Sequence, residues 1–70
     1  MTIWEFVRKL QKIYYVNEIY CAYKDTVELY FIFPNSSATL SYYGETIRKS
    51  TFEDMIKRIE EDLESYEEDK

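Results

Sequence analysis

The hydrophobic period of this chain changes twice along its length, and that switch restricts it to a mixed helix-and-sheet architecture. Ile3, Phe6, Val7, Leu10, Ile13 and Tyr14 recur at helical spacing, with Arg8, Lys9, Gln11 and Lys12 on the other side. Thr2-Ile3-Trp4-Glu5 fits a capping box in front of them. The pattern predicts a first helix over residues 3–14 with a basic outer face. From Glu18 the period becomes two. Ile19, Cys21 and Tyr23 alternate with Glu18, Tyr20, Ala22 and Lys24, as in a strand. Lys24-Asp25-Thr26 supplies a turn. Val27 to Phe33 is β-rich and almost wholly apolar, as a central strand is. Pro34 to Ser37 brings turn chemistry, and Ala38 to Tyr43 alternates again as a third strand. Gly44 marks a turn or bulge, after which Thr46-Ile47-Arg48 either extends the strand or makes a short return.

Ser50-Thr51-Phe52-Glu53 reads as a second capping box. Phe52, Met55, Ile56, Ile59, Leu63 and Tyr66 then trace one apolar stripe, predicting a second helix over 51–66 and a frayed tail, Glu67–Lys70. Glu53 with Lys57, and Asp54 with Arg58, are spaced as i,i+4 ion pairs in the favourable orientation. The expected fold is α+β in a single domain over residues 1–70: helix, three-stranded antiparallel meander, helix, with both helices on one face of the sheet.

Period two also sorts the strand residues by face. Ile19, Cys21 and Tyr23 are expected to join Val27, Leu29, Phe31, Phe33, Ala38, Leu40 and Tyr42 against the helices. Tyr20, Ala22, Tyr30, Ile32, Thr39, Ser41 and Tyr43 then fall on the reverse, where no remaining segment covers them. Tyrosine is tolerated on a solvated antiparallel face. It is also enriched where proteins meet, so Tyr20, Tyr30 and Tyr43 are candidate contact residues.

Seventy residues bury only about 60% of their unfolded surface, so such a chain normally needs extra support. A single Cys and the lack of His rule out an intramolecular disulfide and oppose a zinc site. The support falls to aromatic packing, since 13 of the 70 residues are Trp, Tyr or Phe. A lone thiol suits a reducing compartment. The start MTIWEFVRKL has no uncharged apolar core of a secretion signal, and no apolar run approaches the roughly 20 residues of a membrane span. The expectation is a cytoplasmic protein that does not engage a membrane. Catalytic chemistry finds little support: there is no His to serve as base, Cys21 sits on the expected core face, and one glycine cannot build a phosphate loop. The chain is read as a non-enzyme with no metal and no cofactor.

Charge carries the functional signal. Residues 51–70 hold nine of the 14 acids against three bases, a local net of −6, while residues 1–50 are close to neutral at +1. Direct nucleic-acid binding is disfavoured by that sign, and a basic protein surface is favoured as the partner. Glu53, Glu61, Glu64 and Glu68 fall opposite the apolar stripe, with Glu60 and Glu67 beside them. At about 1.5 Å per residue, residues 53–69 span roughly 24 Å, a length over which one DNA strand carries about seven phosphates. Such a rod can occupy a groove built for nucleic acid. Carboxylates on helix ends are also ordinary solvated surface, although the macrodipole disfavours acids near a C-terminus.

A short, acidic, cysteine-poor chain laid out as helix, meander and acidic helix resembles the small anti-CRISPR proteins of phages and mobile elements, one of which covers the PAM-reading groove of Cas9 with carboxylates. The likeness lies in the order of elements and the charge. It implies blockade of a nucleic-acid-binding bacterial defence protein, with a CRISPR effector as the partner. Two other functions fit the same residues. One is a self-associating accessory protein that forms a homodimer through its tyrosine face. The other is an antitoxin or immunity protein that neutralises a basic toxin.

Overall fold

The computed structural model describes residues 1–68, the side chains of residues 67 and 68 excepted. It runs α1 (Ile3–Gln11), β1 (Val16–Cys21), β2 (Thr26–Ile32), β3 (Ser37–Tyr43), α2 (Gly44–Lys49) and α3 (Phe52–Glu68). The three strands form one antiparallel sheet in the order β1-β2-β3. The expected α+β layout is present, with one helix more than the periodicity announced. No helix among the described residues is long and apolar enough to cross a membrane.

Helix starts follow local chemistry. The Thr2 hydroxyl accepts from the Glu5 amide at 3.0 Å, and the Glu5 carboxylate reaches back to that hydroxyl rather than to the Thr2 amide. At the second start the cap is displaced by one residue from the expected Ser50. The Thr51 hydroxyl accepts from the Asp54 amide at 3.1 Å, because the Ser50 hydroxyl is already donating to the Thr46 carbonyl at the end of α2. That helix settles the fate of residues 44–49: a short return, held by a Lys49–Glu45 ion pair of 2.6 Å and by the fully buried Ile47.

The first helix stops at Gln11, short of the expected Tyr14. Ile13 is consequently exposed, while Tyr14 leaves the helix to meet Phe31 edge-on at 5.3 Å. The cause is strand pairing. Val16 is buried in register with Phe31, and the Ile32 amide donates to the Tyr15 carbonyl. A chain paired to β2 from residue 15 onward cannot remain helical through 14.

Phe6, Val7 and Leu10 of α1, Ile47 of α2, and Met55 and Ile59 of α3 close over Val16, Val27, Leu29, Phe31, Ala38 and Tyr42 of the sheet. The core is therefore one layer between the helices and one sheet face. Each fully buried large side chain contributes about 1.5–3 kcal/mol. Phe6 against Phe52, with ring centroids 6.2 Å apart, joins α1 to α3, and the Lys9 ammonium lies over the Phe52 ring. α3 extends through Glu68, so Glu67 and Glu68 are helical rather than frayed, and Asp69 and Lys70 lie outside the described residues.

Candidate functional site

Three surfaces hold the chemistry this chain offers: the outer face of α3, the uncovered face of the sheet, and a cleft between α1, β1 and α2.

On α3 the apolar stripe turns Met55 and Ile59 inward and leaves Glu53, Asp54, Glu60, Glu61 and Glu64 exposed. The i,i+4 pairs expected for Glu53 with Lys57 and Asp54 with Arg58 are absent. Among the described residues the side-chain ion pairs are Arg48–Asp25 and Lys49–Glu45, and neither involves α3. That spacing permits an exposed ion pair without requiring one: Glu45 and Lys49 form it in α2, whereas the α3 partners do not. The described α3 carboxylates thus face solvent without an ion-pair partner. Asp62 is the exception: it accepts from the Tyr42 hydroxyl at 2.5 Å, tying α3 to β3. Burial, then this bond to Asp62, pushes the Tyr42 hydroxyl well above its ordinary pKa. Tyr14 is also raised, by burial first and then by the nearby Glu60. The side chains of the candidates Glu67 and Glu68 lie outside the described ones.

The reverse face of the sheet is uncovered. Strand register sets its rows: Tyr15 beside Ile32 and Ser37, Asn17–Tyr30–Thr39, Ile19–Glu28–Ser41, and Cys21–Thr26–Tyr43. Ile19 is 67% exposed, Tyr43 67% and Tyr30 47%. Tyr30 and Tyr43 therefore share the face as expected, but they stand two rows apart, about 14 Å along the strands. The Ile19–Glu28–Ser41 row lies between them, so they form no continuous aromatic platform.

Tyr20 is not on this face. The whole of β1 is inverted relative to expectation. Val16, Glu18 and Tyr20 lie in register with Phe31, Leu29 and Val27 on the helix side, while Ile19 and Cys21 point to the reverse. Ala22 and Tyr23 lie in the turn, with Tyr23 almost fully exposed. A shift of one residue exchanges every side chain between faces. Here the buried Val16, hidden among Tyr15 and Asn17 in the sequence, sets the parity.

Inversion gives Tyr20 a different task. Asp25 sits in the tight turn after β1 at φ +50°, a conformation Asp tolerates better than most residues. Its carboxylate accepts from the Tyr20 hydroxyl at 2.9 Å and from both terminal nitrogens of Arg48 at 2.9 and 3.0 Å. Arg48 first, then Tyr20, hold the Asp25 carboxyl below the usual carboxylate range, with help from the Glu45 amide. The Gly44 amide donates to the Asp25 carbonyl at 2.7 Å. A Cβ on Gly44 would come within 2.8 Å of the Asp25 carboxyl carbon, so any other residue here has to displace that carboxylate. The β1–β2 turn is thereby clasped to α2.

Beside the clasp lies a cleft of about 370 Å³, walled by Ile3, Trp4 and Val7 of α1, by Glu18 and Tyr20 of β1, and by Arg48. Neither Trp4 nor Glu18 is singled out by periodicity, although Trp4 falls off the apolar stripe of its helix and so has no core role. Among the described residues no group of three or more His, Cys, Asp or Glu comes together as a metal-ligand set.

No family model matches this chain, and no curated protein or solved structure matches it. The physical character of these surfaces is what bears on function.

Proposed function

We propose that this chain is a non-catalytic inhibitor whose α3 docks on the basic, nucleic-acid-binding surface of a bacterial defence protein, a CRISPR effector in the first instance. The observation that carries the reading is the set of exposed carboxylates on α3, Glu53, Asp54, Glu60, Glu61 and Glu64, which are neutralised by no ion pair among the described residues. From Glu53 to Glu64 the helix rises about 16 Å, matching the span of four to five phosphates on one DNA strand. Attraction of this kind accelerates encounter and weakens with salt. The layout and charge shared with small anti-CRISPR proteins support the choice of target class. Action inside the infected bacterium follows from that choice.

The tyrosine face lies on the opposite side of the sheet from α3, so a flat partner surface meets one or the other. A second reading, self-association through that face, is favoured by the exposure of Tyr15, Ile19, Tyr30, Ile32 and Tyr43 on a single sheet surface. Neutralisation of a basic toxin uses the α3 surface in the same way and differs only in the target.

The test is competition. Purified chain should displace a DNA duplex from CRISPR effectors at low salt, and the triple variant Glu53→Lys, Glu61→Lys, Glu64→Lys should lose that ability. Displacement by the triple variant equal to that of the parent would sink the α3 reading. A mass in solution that halves on Tyr30→Ala with Tyr43→Ala would establish the dimer.

A further inference from the structure

Glu18 occupies an unusual position for a carboxylate. It lies on the helix-facing side of edge strand β1, half-buried, in a cleft lined also by Ile3, Trp4 and Val7, by Tyr20 and Arg48, and by Met1. Among the described residues it makes no side-chain hydrogen bond and no ion pair. Its carboxylate has no cation partner among them, and a bound cation would supply one. Neither of the two cations at the cleft, Arg48 and the Met1 ammonium, bonds to Glu18. Both terminal nitrogens of Arg48 are bound to Asp25, one of them also to Tyr20, and the Met1 amine donates to the Arg48 carbonyl at 3.1 Å. Trp4 completes the site. It is 67% exposed and lines the same cleft, which leaves indole surface available to a cation.

We propose that this cleft is a socket for an arginine side chain presented by the basic partner. The volume of about 370 Å³ falls at the lower end of the range for specific ligand sites. An arginine stem can lie along Ile3 while the guanidinium stacks on Trp4 and pairs with Glu18. Guanidinium is favoured over ammonium because it is planar and weakly hydrated, so it stacks and desolvates at lower cost. The socket deepens the proposed function and rests on it for the identity of the partner as a basic protein. It places a specific anchor on a different surface from the long-range attraction of α3.

Trp4 is the only tryptophan in the chain and so reports directly on the cleft. Its emission should change saturably on titration with acetyl-Ala-Arg-Ala-amide. The citrulline peptide, of the same shape without the charge, should bind about tenfold more weakly or worse, and Glu18→Gln should lose a similar factor toward the arginine peptide. Equal binding of the two peptides, or undiminished binding by Glu18→Gln, overturns the proposal. Agmatine binding tenfold tighter than the arginine peptide would also overturn it, by assigning the cleft to a free small cation. The Glu53→Lys, Glu61→Lys, Glu64→Lys variant should titrate with the arginine peptide as the parent does, because α3 does not line the cleft. Loss of DNA displacement is thus read separately from loss of arginine binding.

Discussion

Asp25 and Glu61 are both carboxylates in contact with water, and the chain treats them in opposite ways. Asp25 is surrounded by donors from Tyr20, Arg48 and the Glu45 amide, and its charge is consumed in holding a turn against α2. Glu61 and its neighbours on α3 face solvent with no ion-pair partner among the described residues. One acid stabilises the fold. The others leave the fold indifferent and remain available to an outside partner. Arg48 reaches Asp25 across 23 positions, whereas Lys57 and Arg58 sit one turn from Glu53 and Asp54 and pair with neither.

Substitutions can break this contrast, and the largest effect should come from Gly44→Ala. The added methyl displaces the Asp25 carboxylate and with it the Arg48 and Tyr20 bonds, lowering the midpoint of chemical denaturation. A midpoint equal to the parent's would show that the clasp does not contribute. Next comes Tyr42→Phe, which strips Asp62, the one partnered acid among the described side chains of α3, of its donor. A loss of about 1.5 kcal/mol is expected in the same measurement. Asp25→Asn should have a smaller effect that depends on pH. Because the Asp25 carboxyl is held below its ordinary pKa of about 4, its stabilisation is fully present above that value. It is lost as pH falls through the lower folded value. The parent and Asp25→Asn midpoints should therefore differ at pH 6 and converge in strong acid. A constant gap across that range would refute the assignment. Smallest of all is Glu61→Lys, expected within about 0.5 kcal/mol of the parent, with any gain from relieved repulsion disappearing at high salt. A large loss there would mean that Glu61 serves the fold and not a partner.

Much of the architecture was legible because it depends on local periodicity. The two amphipathic helices, the apolar run Val27–Phe33 and the alternation from Ala38 to Tyr43 each carry several residues of consistent signal, and Val27, Leu29, Phe31, Ala38 and Tyr42 do reach the core. β1 carried a misleading signal. Its apparent apolar set, Ile19, Cys21 and Tyr23, faces away from the helices or lies in the turn, because its helix side borders an open cleft that accepts Glu18 and Tyr20. The acidic character of α3 could be seen directly. That its described carboxylates form no ion pair could not, since i,i+4 spacing permits one without requiring it.

Chain chemistry alone determined which segments coil and which extend, and where most of the charge resides, since those properties depend on neighbours within a few positions. Contacts between distant segments decided the rest. Val16 pairing with Phe31 chose the faces of β1, burial of Ile47 set residues 44–49 as a helix against the core, and α1 beside β1 brought Trp4 and Glu18 to one cleft. Each of these choices is a competition between conformations of nearly equal local energy, and such a competition is resolved only when the whole core closes.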